Sequence, residues 1–513
     1  MTAPDNVTEA RVGGPRPVRN RLLASARRPP VTVALAVATV VAVVGIGQLS
    51  APGVDAAPAV PVPEPVAAAE LVCPVTTASA GLVSTISAGV APLPTVKDGV
   101  ATLADLTTAA ASSEPLLVTA PGKTVTRTVS GKTGPAQLAR ATGSFAGGFG
   151  ADQMIRSGQG STRGLAATPC ARPVTDAWLV GGGSTVGRLS QVLLVNDDDS
   201  PATVDLTVYG TGGPIDSSGG SELTLPPSSR TQVRLDTRAP NQSVFAVHVE
   251  VTTGRVGVTG LDQASYGLVP LGMSLLPSTH PGTDVVVPFL PGGLSGAYLE
   301  LLAPEVDATA SVQLLTPDGA LTPVGLDQVS LHAGRVTVIP LAPALAGAPA
   351  GVVVRSDTPV VAGVEVGIGA GALFRERDAA AGTPALTAPG LVVGLAGGAL
   401  RHIVGLAAPA AAAEVRLDLY SPGTTGTAWT STVTVPEGGL TTVTVPVAGA
   451  GATSTLVVTP LTGGPVYAER QVVEAGPRGP MIALAPIYPT RATTLVPVVA
   501  SVPGSSVAGS PVR

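Results

Sequence analysis

The sequence predicts an all-β protein, with tandem antiparallel β-sandwich-like repeats behind one N-terminal transmembrane helix. Three observations carry this prediction. Apolar and polar residues alternate in many short segments rich in valine and threonine, one strand pattern occurs three times, and an uncharged apolar segment lies near the N-terminus. Because only 3% of the 513 residues are aromatic, valine, leucine and alanine must fill the cores.

Residues 1–30 form a basic segment that we expect to lie in the cytoplasm. They contain six arginines against Asp5 and Glu9. Residues 31–49 then carry no charge, and 19 residues in an α-helix extend about 28 Å, enough to cross the hydrocarbon core. Because arginines favour the cytoplasmic side, we predict a single-pass signal anchor whose body is extracytoplasmic. The alternative is secretion after signal cleavage, since small residues such as Ala51 and Ala57 follow the apolar segment.

Residues 50–70, rich in proline and alanine, predict an extended stalk between the anchor and the folded body. Residues 71–175 predict a divergent β domain, with strand-like segments at 116–119 and 124–129. Cys73 and Cys170 are the only cysteines of the chain. An even number of cysteines in an exported chain predicts one structural disulfide.

Residues 176–272, 273–378 and 379–480 are predicted to be three β-sandwich repeats. Their aligned segments are 191–210, 298–317 and 402–421, in which two strands flank a turn. The last residue of the first strand and the last residue of the second strand are 13 residues apart in every copy, as Asn196 and Tyr209 are in the first. Six or seven strands in each copy favour a sandwich over a propeller blade, which has about four strands.

Residues 481–500 resemble the start of the second repeat and predict a closing strand, which could cover the edge of an earlier sandwich. Residues 501–513 are predicted to be a disordered tail.

Asn196, Asp197 and Asp199 form a candidate Ca²⁺ site, because hard oxygen ligands in a loop suit this ion. The other two repeats lack the cluster at the equivalent turn, and Asx residues are ordinary turn formers. The spaced calcium-loop pattern is also absent, so the turn interpretation is favoured over the metal.

Trp178 and Trp429 are candidate contacts for a glycan, since tryptophan faces stack on sugar rings. The alternative for Trp178 is core packing at the start of a strand. The two tryptophans are 251 residues apart, whereas a sugar platform usually combines two or three rings.

No catalytic motif is present in the sequence, and we expect a protein that is not an enzyme and has no cofactor. The four histidines fall at unrelated positions of the repeats, and no serine lies in a nucleophile-elbow pattern. Because the body is mildly acidic and poor in aromatic residues, binding of nucleic acid is excluded as well.

Residues 163–176 (RGLAATPCARPVTD) and 178–183 (WLVGGG), followed by a strand and the Asn196 turn, resemble the actinobacterial family DUF5719. The resemblance extends over roughly residues 70 to 500. It implies a membrane-anchored or secreted envelope protein with no assigned activity, and it brings no catalytic residues.

The expected function is that of a non-enzymatic cell-envelope protein that scaffolds or binds a partner outside the membrane. The alternative is a cell-wall glycan-binding protein, and an envelope hydrolase with a scattered triad ranks third. The expected partners are the membrane, through residues 31–49, and an envelope protein or a cell-wall glycan.

Overall fold

The computed structural model describes residues 61–75, 81–107, 113–130, 134–216, 220–369, 376–424, 426–447, 449 and 453–496, together with Thr39, Val41 and Ala42. The basic segment 1–30, the rest of the predicted anchor 31–49, the first part of the stalk and the tail 501–513 lie outside the described residues. Within the described ranges, no helix is long and apolar enough to cross a membrane.

The described chain is all-β, as the sequence predicts, and all strand pairs with an assigned register are antiparallel. Strand β1 (Val62–Pro65) comes first. Strand pairing then divides the described residues into four sandwiches, named I to IV in chain order.

Sandwich I contains β2 (Ala68–Cys73), β3 (Val83–Val90), β4 (Gly99–Asp105), β5 (Leu116–Val118), β6 (Thr124–Ser130), β7 (Gln137–Gly143), β8 (Phe149–Ser157) and β9 (Gly164–Pro169), with short 3₁₀ helices at Ser144–Gly148 and Gly160–Thr162. Sandwich II contains β10 (Asp176–Val180), β11 (Arg188–Asn196), β12 (Ala202–Gly210), β13 (Gly213–Ile215), β14 (Glu222–Leu225), β15 (Ser229–Arg234), helix α1 (Leu235–Arg238), β16 (Ala246–Thr253), β17 (Gly257–Tyr266) and β18 (Val269–Pro277).

Sandwich III contains β19 (Gly282–Leu290), β20 (Gly296–Leu302), β21 (Ala308–Thr316), β22 (Gly319–Leu321), β23 (Val329–Leu331), β24 (Thr337–Pro340), helix α2 (Ala342–Leu345), β25 (Ala350–Ile368) and β26 (Glu376–Ala381). Sandwich IV contains β27 (Gly390–Ala396), β28 (Leu400–Ala408), β29 (Ala413–Tyr420), β30 (Trp429–Val435), β31 (Gly439–Val445), β32 (Thr453–Gly463), β33 (Tyr467–Glu474) and β34 (Met481–Pro486). Strand β35 (Thr493–Val496) follows and pairs with β1.

All four sandwiches share one topology. In sandwich I the sheets have the strand orders β2-β7-β4-β5 and β6-β3-β8-β9, and in sandwich IV the corresponding orders are β27-β32-β29-β30 and β31-β28-β33-β34. Sandwich III differs in one respect, because the 19-residue strand β25 pairs with β19 and β21 through its first half and with β20 and β26 through its second. The divergent domain predicted at 71–175 therefore has the same topology as the three repeats.

Strand pairing places the boundaries of the repeats differently from the sequence analysis. The last strand of each sandwich, β9, β18, β26 or β34, pairs with the strand before it. As a result, β18 crosses the predicted boundary at 272/273, and β26 crosses the one at 378/379. Strand β34 completes sandwich IV, although it lies in the predicted closing segment 481–500. The predicted stalk 50–70 ends in strand structure, and Ala69 in β2 is buried.

The sandwiches close into a ring. Each sandwich has one sheet that contains its first strand and one sheet that contains its last strand. The first-strand sheets of sandwiches I, II and III pack against the last-strand sheet of the next sandwich. The first-strand sheet of sandwich IV packs against the last-strand sheet of sandwich I and closes the ring. The four last strands also contact one another in the cyclic order β9, β18, β26, β34. Period-2 alternation makes this contact two-sided, because Leu165 in β9 packs toward β34 while its neighbour Ala166 packs toward β18.

Polar contacts hold the closing interface between sandwiches IV and I. The Arg156 guanidinium donates two hydrogen bonds to the carboxylate of Glu474, at 2.6 Å from Nε and 2.5 Å from a terminal nitrogen. The Val393 N–H donates to the Asp152 carboxylate at 2.7 Å. At Gly394 the backbone has φ +75°, and a Cβ there would lie 2.2 Å from the Ser87 hydroxyl oxygen, so this close approach requires glycine.

We expect Arg156→Ala to lower the free energy of unfolding by about 1–3 kcal/mol, because it leaves the mostly buried Glu474 carboxylate without its partner. Chemical denaturation of the full chain measures this change. The matched control is Arg234→Ala, which breaks an exposed pair with Asp236 inside sandwich II and should cost less than about 1 kcal/mol. Equal losses of unfolding free energy in Arg156→Ala and Arg234→Ala would contradict the role given to this pair. An Arg156→Ala/Glu474→Ala double variant that is no more stable than Arg156→Ala would contradict it too.

Candidate functional site

A turn follows the last strand of every sandwich, and all four turns are built alike. Each turn pairs with the first strand of its own sandwich before the chain enters the next sandwich. Ala171 exchanges two backbone hydrogen bonds with Val72, and Thr279 does the same with Trp178. Thr383 and Thr490 each donate one backbone N–H, both at 2.9 Å, to Val286 and Pro389 respectively. Because the last strands meet in a ring, these turns converge at one end of it.

A cavity of about 440 Å³ lies among these turns and is lined by residues from all four sandwiches. Its wall contains the segments 168–172, 277–282, 382–384 and 488–491. Cavities of roughly 300–1,000 Å³ are typical of small-molecule sites. We call this cavity the axial pocket.

Basic residues recur at one position of the turns. The residue after each pairing position is Arg172, His280, Pro384 or Arg491, and all four line the axial pocket. Burial, together with the positive charge of Arg491, lowers the pKa of the Arg172 guanidinium to about 10. Among the described residues, no carboxylate or other acceptor contacts the guanidinium of Arg172 or of Arg491.

The acidic residues near the pocket have other partners. Asp284 lines the pocket, and its carboxylate lies 3.5 Å from Nε of Arg355. Asp176 accepts a hydrogen bond of 2.6 Å from His248, and its other oxygen lies 4.0 Å from Nδ1 of His280. The pocket therefore holds more positive than negative charge.

Hydroxyl groups make up much of the remaining polar wall. Thr168, Thr383 and Thr490 are buried, and their hydroxyls have no hydrogen-bond partner within the part of the chain that the structure describes. The Thr279 hydroxyl donates to the Gly382 carbonyl at 2.8 Å and thereby links sandwiches II and III. Burial and the Glu469 carboxylate raise the pKa of the Tyr488 phenol, which also lines the pocket.

Buried carboxylates lie between the last strands of the ring. Glu376 and Asp378 in β26 are both about 1% exposed, and burial raises the pKa of each to about 8. Arg163 lies 3.5 Å from Glu376, and the Leu484 N–H donates to Asp378. This buried polar cluster contains neighbouring carboxylates that favour the protonated form at neutral pH.

The predicted disulfide is present. Cys73 at the end of β2 bonds to Cys170, and both are buried in the core of sandwich I. Because Cys170 stands two residues before Arg172, the bond fixes the turn that carries this arginine. The sequence separation is 97 residues, for which chain-entropy arguments give up to about 4.7 kcal/mol of stabilisation.

The three residues of the candidate Ca²⁺ site do not form a ligand set. The Asn196 amide donates to the carbonyls of Ser200 and Pro226, and its oxygen accepts the N–H of Asp198, as in an Asx turn. Asp197 is buried, whereas Asp199 is exposed. Across the described ranges, no group of three acidic, histidine or cysteine residues is placed to hold a metal ion.

The two tryptophans lie on different sandwiches. Trp178 is only 4% exposed, and the His248 ring stacks on it with centroids 4.2 Å apart, so it packs in the interface between sandwiches II and III instead of offering a face to a sugar. Trp429 is partly buried at the start of β30 and packs against the core of sandwich IV. The structure does not bring the two together.

The sequence profile of the family of unknown function DUF5719 matches residues 125–448. The chain belongs to this family. No curated protein matches the sequence. The matched residues extend from β6 to the end of β31, so the DUF5719 match includes Arg172 and His280 but ends before Arg491.

The axial pocket of this DUF5719 chain is not evident from its sequence. Its residues come from four turns, each about 105 residues from the next, so no local sequence pattern contains them. The available signal was the recurrence of Arg172, His280 and Arg491 two or three residues after a proline that ends or follows a strand. Only correct boundaries for the last strands would have aligned these turns.

We expect the free energy of unfolding to fall as the pH rises from about 5 to 8. Glu376 and Asp378 have a higher pKa in the folded than in the unfolded chain, where it is close to 4, so the folded state binds more protons in this window. Each group contributes a slope of up to about 1.4 kcal/mol per pH unit. Chemical denaturation at pH 5, 6, 7 and 8 measures the slope.

Asp378→Asn should flatten this dependence and raise stability at pH 8, because the amide is neutral at every pH. Asp236→Asn is the matched control, because the pKa of Asp236 is lowered and its titration lies below the window. An unchanged slope in Asp378→Asn would contradict the assignment.

Proposed function

We propose that this protein is a non-enzymatic cell-envelope protein that binds a partner or ligand through its exported ring. In this proposal, residues 31–49 form a single-pass anchor with the N-terminus in the cytoplasm. The observation that carries the binding role is the axial pocket, which residues of all four sandwiches line at one end of the ring. A pocket shared by four domains is held in shape by the whole body.

Two features support export. The Cys73–Cys170 disulfide is typical of proteins that fold in an oxidising compartment. The six arginines of residues 1–30 precede the uncharged segment 31–49, and this order favours translocation of the body.

The chemistry of the pocket supports binding. The arginine side chain has N–H donors and no basic atom, so Arg172 and Arg491 can hold a ligand but cannot remove a proton from it. Asp284 faces Arg355, and the Tyr488 phenol has a raised pKa, so neither favours general-base catalysis.

A cell-wall glycan is the second candidate partner, and one observation favours it. The pocket wall combines threonine hydroxyls with proline side chains, groups that can contact the hydroxyls and C–H faces of a sugar. In this alternative the glycan occupies the axial pocket and does not contact Trp178, which stays packed between sandwiches II and III.

We expect the full chain to sediment with membranes and its C-terminus to be accessible to protease added outside intact cells. Val37→Arg with Val41→Arg should release the protein from the membrane fraction or block its export, since arginine in an apolar span costs about 2.5–3.5 kcal/mol for each residue. Val37→Leu with Val41→Leu is the control. A shortened wild-type protein in the medium would show cleavage and secretion, and protection of the C-terminus would contradict export.

We expect cross-linking in cells, followed by purification through a C-terminal tag and mass spectrometry, to capture a reproducible envelope protein. Sacculi from the same cells are pelleted in parallel, with the untagged strain as the control. Capture without sacculus binding supports a scaffold or partner-binding module, whereas sacculus binding without a captured protein favours the glycan. Absence of both would contradict the proposal.

A further inference from the structure

We propose that the axial pocket binds a small polyhydroxylated anion, a sugar acid or a sugar phosphate, whose oxyanion lies between Arg172 and Arg491. This inference names the ligand class of the pocket and rests on the proposed function above.

The pocket carries positive charge that no carboxylate balances within the described residues. The side chains of Arg188 and Arg163 are less than a tenth exposed and each contacts a carboxylate, Asp262 at 3.0 Å and Glu376 at 3.5 Å respectively, whereas the buried Arg470 makes no such contact within the described residues. Arg172 is partly buried and Arg491 is exposed, and the positive charge of Arg491 acts on Arg172. Within the described residues neither guanidinium contacts a carboxylate. Two neighbouring positive charges, one of them partly desolvated, favour an anion between them.

Backbone contacts fix the two turns that carry these arginines. Cys170 and the pairing of Ala171 with Val72 hold the turn of Arg172, and the bond from Thr490 to Pro389 holds the turn of Arg491. These turns belong to sandwiches I and IV, which are neighbours at the closing interface of the ring. A guanidinium is a planar fork that matches the oxygens of carboxylates and phosphates.

Three buried hydroxyls of the pocket wall favour a ligand that carries hydroxyls itself. Thr168, Thr383 and Thr490 are each at least nine-tenths buried, line the pocket, and have no hydrogen-bond partner inside the described part of the chain. A buried hydroxyl is ordinarily satisfied. A ligand with several hydroxyls supplies both donors and acceptors to such a wall, whereas a bare inorganic ion satisfies few of them.

Cations and neutral sugars fit the pocket less well. A cation would face two arginines, because Asp284 and Asp176 already lie beside Arg355 and His248. A neutral sugar would leave both guanidiniums without an acceptor of opposite charge.

The experiment is isothermal titration calorimetry on the purified full chain with three probes: glucuronic acid, glucose 1-phosphate and glucose. We expect both anions to bind at least tenfold more tightly than glucose, and their affinity to fall as salt is raised, because the contact is electrostatic. The ratio between the acid and the phosphate tells which oxyanion the pocket prefers. Equal affinity for glucose and for the two anions, or no binding of any probe, would overturn the proposal.

Arg172→Gln and Arg491→Gln should each weaken anion binding at least tenfold, and Arg172→Lys should restore only part of it, since lysine keeps the charge but loses the fork. Arg478→Gln is the matched control, because Arg478 is an exposed arginine in the connection between β33 and β34, outside the pocket lining. Unchanged thermal unfolding shows that the variants are folded. Full anion binding in Arg172→Gln and Arg491→Gln would overturn the proposal.

The two proposals fail separately. If an envelope partner is captured in cells but no anion binds in the calorimeter, the ligand class is wrong and the proposed function stands. If the anions bind through Arg172 and Arg491 but the chain is neither exported nor associated with envelope material, the proposed function is wrong and the ligand class stands.

Discussion

The structure depends on the contact of four last strands, β9, β18, β26 and β34, with one another. Each of them ends a sheet of its own sandwich and also packs against its two neighbours in the ring. A strand in this position is buried on both faces, because it has a sandwich on either side. The pattern is visible in β34, where all six residues from Met481 to Pro486 are buried.

The axial pocket follows from the same contact. Once the last strands meet, the turns behind them have to meet too, so residues far apart in sequence share one wall. The position of Arg172 is set by a disulfide and by the pairing of Ala171 with Val72, features of sandwich I alone. Its proximity to Arg491 is set by ring closure, since that residue belongs to the other end of the chain.

Period-2 alternation and the 13-residue spacing predicted the strands of sandwiches II to IV well, because β11 and β12 and their counterparts are linked by turns of similar length. Sandwich I escaped detection as a repeat because its connection between β3 and β4 is longer than the corresponding ones. The predicted boundaries divide the last strands β18 and β26, since a doubly buried strand lacks the alternation that reveals a partner. The axial pocket could not be predicted at all, because it requires knowing that β34 meets β9.

Closure has a further consequence for how such a chain acquires its shape during synthesis. In a linear repeat array, each unit needs only its nearest neighbours, and folding can spread as the chain emerges. Here the face of sandwich I around Ser87 and Asp152 stays uncovered until Val393 and Gly394 have been made, more than 200 residues later. The nascent chain therefore carries an uncovered protein surface through most of its translation, and only the residues from Gly390 onward can cover it.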